Sequence, residues 1–374
     1  SVLLLSAVLF TISAIGAAFP RVLYEFVIAR IIGGVGIGIA SMLSPLYIAE
    51  VAPASIRGRL VTLNQFAIVL GMLVVYYVNA IVASMGDEAW NVALGWRWMF
   101  GSGTLPAVIF MTCLFFVPES PRWLTKQNRS EKAIAILTRV GGRTHAELAI
   151  KEIQETCAQE GGSLRQLLQP GLRVALIIGI GLAILQQVTG INVVLYYAPE
   201  IFKSAGINTT QAINDTVIVG IVNLLFTLIA FWVVDKLGRK PLLLIASAGM
   251  EISLTLLGIA FLRNQVEGPW ILLYILAYVA SFAVAMGPVV WVVMAEIFPT
   301  RIRGRAMSIA TVCLWISCFA VSQFFPIMLK HLQGSAFFVY SQMCVLALVF
   351  IAVFVPETKG KTLEDIEKFW LPKK

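Results

Sequence analysis

The chain alternates between long runs of apolar residues and shorter polar segments. A bilayer core of about 30 Å needs about 20 apolar residues in a helix, and ten runs approach that length. The pattern therefore predicts an all-α membrane protein with ten visible transmembrane helices. The runs cover residues 1–19, 26–48, 60–84, 99–117, 172–198, 213–234, 241–263, 270–294, 306–330 and 335–355.

A sequence motif occurs twice, each time after an apolar run. AEVAPASIRGR at 49–59 and AEIFPTRIRGR at 295–305 lie 246 residues apart, and VPES at 117–120 and VPET at 355–358 recur at a similar interval. Internal repeats of this size in an apolar chain are typical of transporters, which hold a substrate between two related halves.

The second half contains segments that have no counterpart in the first half. DKLGRK at 235–240 and the apolar runs 172–198 and 213–234 stand alone, and by the repeat interval their counterparts would precede Ser1. We therefore expect that about 75 residues, forming two helices, are missing at the N-terminus, so that the complete protein has twelve helices.

Composition and charge support a membrane location. Apolar residues make up 59% of the chain, charged residues only 13%, and the formal net charge is +8. Most of the 28 Lys and Arg fall in the loops that are cytoplasmic if Ser1 is cytoplasmic, which places both ends in the cytoplasm of a multi-pass protein of the inner (plasma) membrane. The positive charge therefore indicates topology and not nucleic-acid binding. The expected outer cations are Arg21, Arg97, Lys203, Arg263 and Lys330.

We predict four parts along the chain: a partial N-terminal bundle of four helices at 1–118, a helical linker at 119–171, a six-helix bundle at 172–355 and a cytoplasmic tail at 356–374. The linker is the only long polar stretch. Ser130 is expected to cap an amphipathic helix that stops at Gly141 and Gly142. Structured linker helices would act as a latch at the cytoplasmic face, and a disordered tether is the alternative.

The densest group of polar side chains within an apolar run lies at 186–197. Gly190 is expected to let this helix unwind and Pro199 to end it, and broken helices at mid-depth are where transporters bind substrates. Amides donate and accept hydrogen bonds without carrying charge, which suits sugar hydroxyls. The polar residues are Gln186, Gln187, Thr189, Asn192, Tyr196 and Tyr197.

Four more residues are candidates for the same site. Gln65 and Asn223 are isolated amides in apolar helices, and hydrogen bonding between helices is the alternative explanation for them. Trp291 and Trp315 can stack on the apolar face of a sugar ring. Gly33, Gly34, Gly36 and Gly38 lie inside an apolar helix, so helix packing explains them better than a phosphate-binding loop does.

Charged residues at the predicted inner face are expected to form a network that opens and closes the bundles, with simple topology anchoring as the alternative. Arg30 and Glu251 lie within apolar segments, where an ionisable group is functional by default, although Arg30 could also snorkel. The inner-face set is Glu50, Arg57, Arg59, Glu119, Arg122, Asp235, Arg239, Glu296, Arg303, Arg305 and Glu357.

Neither a cofactor nor a metal ion is expected. The five cysteines lack metal-type spacing, and four of them sit in apolar runs. His145 and His331 fall in predicted loops, and no set of nucleophile, base and metal ligand converges, which argues against an enzyme.

Taken together, the motifs resemble those of the sugar porters of the major facilitator superfamily, most closely the bacterial D-xylose–proton symporters and more distantly the animal glucose uniporters. The resemblance spans the whole chain. It is carried by the two Arg-Gly-Arg loops, PESPR at 118–122, QQVTGIN at 186–192, DKLGRK at 235–240, GPVVW at 287–291 and PETKG at 356–360.

The resemblance implies the major facilitator fold, a monosaccharide substrate such as xylose or a related aldose, proton symport and function as a monomer. It implies that Arg30 pairs with an Asp on the missing first helix. The chain departs from the family at Leu314, where relatives usually have an amide. It departs from the xylose symporter at Met72, where that symporter has an amide, and at Gly103, where it has a Glu. The implied sugar-site residues are Gln65, Gln186, Gln187, Asn192, Tyr196, Asn223, Trp291 and Trp315.

Three alternatives to symport stay open at this stage. A facilitative sugar uniporter would share the fold and the site. A sugar sensor that does not transport would usually carry a long cytoplasmic extension, whereas the predicted tail is short. An inactive truncated product is the third alternative, because loss of two helices would expose the polar lining of the first bundle to lipid.

Overall fold

The computed structural model describes residues 2–52, 54–159, 172–263, 269–298 and 303–359. The described chain is almost entirely helical, which confirms the prediction of an all-α protein. The helices are α1 Val2–Ala18, α2 Leu23–Val51, α3 Ala54–Ser84, α4 Glu88–Trp90, α5 Trp96–Ser102, α6 Thr104–Leu114, α7 Pro121–Lys126, α8 Ser130–Gly141, α9 Arg143–Gln159, α10 Leu172–Val188, α11 Ile191–Ser204, α12 Thr209–Leu237, α13 Arg239–Leu262, α14 Trp270–Ser281, α15 Gly287–Ile297, α16 Arg303–Leu332 and α17 Ala336–Phe354.

Seven stretches of the described chain are long and apolar enough to cross a membrane. Three of them contain two helices each: 172–204 contains α10 and α11, 270–297 contains α14 and α15, and 304–354 contains α16 and α17. Helix α1 is also apolar but has only 17 residues. The other four stretches are 23–48, 63–84, 209–234 and 239–262.

The chain divides into two compact units. The first comprises residues 1–68 and 77–161, and the second comprises residues 69–76 and 162–374. The second unit therefore includes a short part of α3 in addition to the helices from α10 onward.

In the first unit, small residues allow α1 and α2 to approach closely. A Cβ atom placed on Gly33 would lie 2.9 Å from the Cβ atom of Ser13, and one on Gly36 would lie 3.1 Å from an aromatic ring of α1. Helices in lipid associate through such close contacts. The packing interpretation is confirmed for Gly33 and Gly36, whereas Gly34 and Gly38 face open space.

The linker helices have a small hydrophobic core of their own. Leu137 of α8 is buried, together with Leu124 of α7 and Ile150 of α9. Helix α8 ends where the sequence predicts, because Gly142 has a φ of +82°. The predicted Ser130 cap is wrong: the helix begins at Ser130 itself, Arg129 occupies the capping position, and its side chain makes no capping hydrogen bond.

The second unit contains the large hydrophobic core. Its fully buried side chains come from helices throughout the unit, because every helix there has neighbours on several sides. The largest are Tyr278, Phe202, Phe298, Phe325 and Phe337.

A break separates α10 from α11 at the position that the sequence predicts. Gly190 has a φ of +96°, and its α-carbon lies against the ring of Tyr340. The prediction that Pro199 ends this segment is wrong, because α11 continues through Pro199 to Ser204. Proline distorts a helix by clashing with the preceding turn, and here Tyr197, with φ −110° and ψ 15°, takes up the distortion as a kink.

Replacing Gly190 by alanine is expected to destabilise the second unit. The new Cβ atom would lie 2.8 Å from Cδ1 of Tyr340, in a left-handed backbone conformation that alanine disfavours. The combined cost is about 2–4 kcal/mol. Gly206→Ala is the matched control, because Gly206 has a φ of +85° but open space around it. Thermal unfolding in detergent should show a larger loss for Gly190→Ala, and equal losses would contradict the steric explanation.

Candidate functional site

The break after α10 leaves a backbone carbonyl without a helical partner, and a side chain distant in sequence donates a hydrogen bond to it. At a helix end the last carbonyls lose their helical N–H partners. Here the carbonyl of Thr189 accepts a hydrogen bond from Oη of Tyr278 at 2.9 Å. Tyr278 lies on α14 and is fully buried, so this bond ties the break in one helix to another helix.

A second irregular segment lies nearby, between α14 and α15. Phe282–Met286 forms a π-helical turn just before Pro288. Such turns are associated with kinks where a side chain inserts into the backbone ladder. Nε2 of Gln186 donates to the carbonyl oxygens of Met286 and Gly287, at 2.7 and 3.1 Å.

Three of the predicted amides form one hydrogen-bonded chain. Nδ2 of Asn192 donates to Oε1 of Gln187 at 2.6 Å, and Nε2 of Gln187 lies 3.4 Å from Oε1 of Gln186. Gln186 is 3% exposed and Gln187 is 6% exposed. The chain therefore runs across the break from α11 to α10 and continues to the π-helical turn. It presents neutral donors and acceptors, which can exchange hydrogen bonds with an uncharged polar ligand.

The two candidate tryptophans lie on helices that bear partners of this amide chain. Trp291 is half-buried and follows Gly287 by about one turn of α15. Trp315 precedes Cys318 by three residues on α16, and Sγ of Cys318 lies 3.2 Å from Nδ2 of Asn192. Residues three apart on a helix share a face, so Trp315 faces the same side as Cys318.

The second unit also holds Asn223 and Tyr196. Nδ2 of Asn223 lies 3.9 Å from Sδ of Met72, and a thioether sulfur is a weak acceptor. Tyr196 is 52% exposed on α11, next to the kink. Gln65 is half-buried on α3 and belongs to the first unit.

Both repeated motifs place a glutamate at the end of one helix, close to the start of the next. In the first unit, the Ser120 hydroxyl donates to Oε2 of Glu50 in a very short hydrogen bond. In the second unit, Thr358 Oγ1 donates to Oε2 of Glu296 at 2.5 Å. The two motifs therefore form the same hydroxyl–carboxylate contact. In the second unit Nη2 of Arg239 also pairs with Oε1 of Glu296 at 3.1 Å.

The side chain of Glu357 caps the N-terminal end of α13. Its two carboxylate oxygens accept the backbone N–H groups of Arg239 at 3.1 Å and Lys240 at 3.0 Å. Partial burial raises the pKa of the Glu357 carboxyl, but hydrogen bonds from the backbone of Lys359, Arg239, Lys240 and Thr358 outweigh burial and lower that pKa below its ordinary value of 4.5. The helix dipole acts in the same direction.

The other predicted inner-face charges are less informative. Glu119 and Arg305 are exposed, and Arg122 is half-buried on α7. The remaining four predicted residues lie outside the side chains that the structure describes; they are Arg57, Arg59, Asp235 and Arg303.

Arg30 is exposed on α2, and its Cζ atom lies 5.3 Å from the centre of the Phe100 ring. Oε2 of Glu25, the nearest carboxylate along the chain, accepts the backbone N–H of Arg21 at 2.7 Å. Among the side chains that the structure describes, no carboxylate pairs with Arg30. A cation over an aromatic face is favourable, and this contact holds Arg30 against α5.

Glu251, which the sequence leaves without a role, links α13 to α17. Thr255 Oγ1 donates to Oε1 of Glu251 at 3.0 Å and lies 2.7 Å from Oγ of Ser341. Ser341 Oγ in turn lies 3.4 Å from Oε1 of Glu251. Polar contacts of this kind join helices in lipid.

Several contributing residues escape sequence reasoning. Tyr278 and Cys318 lie in apolar runs and contribute through partners about 90 and 126 residues away. Tyr76 donates from Oη to the carbonyl of Leu195 at 2.7 Å. Their hydroxyl and thiol groups are the only available signal, and local spacing does not show which partner each meets. In the described part of the chain, no group of three His, Cys, Asp or Glu side chains could hold a metal ion.

Comparison with known proteins places these features in context. Residues 1–370 match the family model described as "Sugar (and other) transporter". The chain is 47% identical to the D-xylose-proton symporter of Escherichia coli strain K12 over 98% of this chain and 80% of that protein. It is 44% identical to the arabinose-proton symporter of Bacillus subtilis over 99% of this chain and 80% of that protein.

Solved structures give the same result. The partially occluded inward-open structure of the xylose transporter XylE from E. coli matches with a TM-score of 0.86 and 45% identity, over 96% of this chain and 81% of that one. The E. coli xylose symporter structure with bound 6-bromo-6-deoxy-D-glucose matches with a TM-score of 0.82 and 46% identity, over 99% of this chain and 82% of that one.

We predict that Glu357→Gln destabilises the chain in a pH-dependent way. Because the pKa of Glu357 is lower in the folded chain than its ordinary value of 4.5, ionised Glu357 stabilises the fold above that pH, and this contribution is lost as the pH falls through the folded pKa. Loss of a helix cap costs about 0.5–2 kcal/mol. Thermal unfolding should therefore show a gap between variant and wild type at pH 7 that narrows at pH 4.

Glu200→Gln is the control for this experiment. Glu200 forms an exposed pair with Lys203 at 3.1 Å, and such pairs contribute about 0–1 kcal/mol. A gap for Glu357→Gln that stays constant from pH 7 to pH 4, or one no larger than that of the control, would contradict the capping role.

Proposed function

Because the chain belongs to the family of sugar (and other) transporters, we propose that it carries a monosaccharide, xylose or a related aldose, across the membrane by alternating access with proton symport. The names of its relatives support the substrate class and the coupling ion, since they are xylose–proton and arabinose–proton symporters.

The single observation that carries this proposal is the amide chain from Asn192 through Gln187 to Gln186. It is uncharged, it lies at a helix break in an apolar environment, and its amides can donate and accept at once. Among the described residues, Oδ1 of Asn192 accepts no hydrogen bond, so that it can receive a sugar hydroxyl.

In this mechanism the amides hold the sugar hydroxyls and the indoles cover the ring. An indole stacks on apolar C–H surface while its N–H bonds a hydroxyl. Met72 is only a weak acceptor for Asn223, and the buried Leu314 offers no polar group, which favours a sugar with fewer hydroxyls to satisfy. The proposed sugar-binding residues are Gln65, Gln186, Gln187, Asn192, Tyr196, Asn223, Trp291 and Trp315.

The proposed architecture is ten of the twelve helices of a major facilitator transporter, with both ends of the chain cytoplasmic and the monomer as the working unit. The parts are the bundle at 1–118, the linker at 119–171, the bundle at 172–355 and the tail at 356–374. The matching Ser120–Glu50 and Thr358–Glu296 contacts support it, because they give the two repeats the same local structure.

The inner-face charges are proposed to bias the opening and closing of the bundles. The contacts of Glu296 with Arg239 and Thr358 give one part of such a network, and Glu50 with Ser120 gives another. Charged groups can shift the equilibrium between the open and closed states only if they interact more favourably in one state than in the other. These groups would therefore have to change partners during transport.

A facilitative uniporter is the second candidate. It would share the fold and the sugar site, and Arg30, whose Cζ atom lies 5.3 Å from the centre of the Phe100 ring, would then exchange no proton with a carboxylate. Arg30 is the residue proposed to couple proton and sugar movement.

Substitution of Gln187 by alanine is expected to weaken sugar binding. One hydrogen bond to a neutral hydroxyl contributes about 0.5–1.5 kcal/mol, so the KM for radiolabelled xylose in proteoliposomes should rise about 2–12-fold. Gln342→Ala is the matched control, because Gln342 is an exposed amide on α17. If Gln187→Ala combined with Trp291→Ala leaves xylose uptake unchanged, the assigned site is wrong.

Proton coupling separates the two candidates. For a symporter, addition of xylose to proteoliposomes should make the external medium more alkaline, and Arg30→Gln should abolish that pH change while xylose counterflow persists. Lys203→Gln, which removes an exposed cation on α11, should leave the pH change intact. Xylose uptake without any pH change in the wild type would favour the uniporter.

A further inference from the structure

A cavity of about 470 Å³ lies in the linker, between α7 and α8 of the first unit. Its volume falls within the range of about 300–1,000 Å³ that is usual for small-ligand sites. The residues that matter for its chemistry are Glu119, Trp123, Arg129, Lys132, Ile136 and Arg139.

The fold holds the cations of this cavity on one side of α8. Lys132, Ile136 and Arg139 share a helix face because they are spaced by four and three residues. The opposite face, with Ala133 and Leu137, is buried in the small core of the linker. This packing fixes the rotation of the helix and so directs its basic face into the cavity.

Described carboxylates do not neutralise these cations. Among the side chains that the structure describes, Arg129, Lys132 and Arg139 have no carboxylate partner, whereas exposed Arg143 pairs with Glu147 at 3.1 Å. One carboxylate, that of Glu119, also lines the cavity, so its charge is +2 overall. Like charges gathered in one concave site repel each other and attract an anion. Guanidinium groups match phosphate oxygens in geometry as well as in charge.

The cavity also has an apolar wall close to the predicted membrane boundary. The indole of Trp123 is 45% exposed, and Ile136 lies beside it in the lining. Phe115 and Phe116, at the end of the preceding apolar run, are strongly exposed. Tryptophan is enriched at the level of lipid headgroups, and basic pockets on the cytoplasmic side of membrane proteins bind acidic headgroups.

We propose that this cavity binds a phosphate group attached to an organic body, with the phosphate on Arg129, Lys132 and Arg139 and the body against Trp123. The group is supplied either by an anionic phospholipid of the cytoplasmic leaflet or by a soluble phosphate ester. This cavity shares no residue with the proposed sugar site. Its test measures binding and not transport, so the result does not depend on the proposed function.

The test compares the wild-type chain with Arg129→Gln/Lys132→Gln/Arg139→Gln. Native mass spectrometry of the detergent-solubilised chain measures binding of phosphatidylglycerol, with phosphatidylcholine for comparison, and of glucose 6-phosphate. Loss of charge-assisted hydrogen bonds should weaken binding of the preferred ligand by about tenfold to hundredfold. Binding should also weaken with added salt. Selective binding of phosphatidylglycerol identifies a lipid site, and binding of glucose 6-phosphate identifies a site for soluble esters.

Two further variants make the outcome specific. Arg143→Gln/Lys151→Gln/Arg173→Gln removes the same charge from exposed positions outside the cavity and should retain binding. Ala135→Trp places an indole in the cavity beside the cations but keeps every cation, and it should weaken binding as the triple variant does. The proposal is overturned if the wild type binds neither ligand, if Ala135→Trp binds normally, or if the control variant loses as much binding as the cavity variant.

Discussion

The second unit depends on how backbone carbonyls are satisfied where its helices are interrupted. An unpaired carbonyl in lipid costs several kcal/mol, yet α10 breaks at Gly190 and a π-helical turn precedes α15. At each of these two irregular segments, backbone carbonyls accept hydrogen bonds from a side chain that lies beside the other segment. Tyr278, just before the π-helical turn, donates to Thr189, and Gln186, just before the break, donates to Met286 and Gly287. Irregular backbone is thereby tolerated at the point where the amides of Gln186, Gln187 and Asn192 come together.

Because Gln186 donates to the carbonyls of Met286 and Gly287, it stabilises the fold in addition to its proposed contact with sugar. Gln187 and Asn192 continue the amide chain on the other side of the break, with fewer backbone partners. A change at Gln186 therefore affects packing and binding together, whereas a change at Gln187 reports more directly on binding. The two tryptophans lie on α15 and α16, and each of these helices also bears a partner of the amide chain.

Much of the fold could be predicted from the sequence, because apolar runs and Gly190 act locally. The transporter family, and the exclusion of an enzyme, were likewise predictable from the motifs and are confirmed by the family match. The path through Pro199 was not predictable, since the kink at Tyr197 depends on the neighbours that hold α11. The partners Tyr278 and Cys318 also could not be predicted, because each contact joins residues about 90 or more positions apart and no local spacing encodes it. The sugar-site assignment itself stays a prediction.

The carboxylate that completes the first turn of α13 comes from a residue 118 positions later in the chain. A ribosome adds about 5–20 residues per second, so α13 enters the membrane several seconds before Glu357 has been synthesised. Throughout that interval the start of α13 must rely on water or on headgroups for its exposed N–H groups. Assembly of the second unit is therefore finished from its C-terminal end, and a nascent chain stalled before Glu357 would carry every membrane helix of that unit but not the bond that secures one of them.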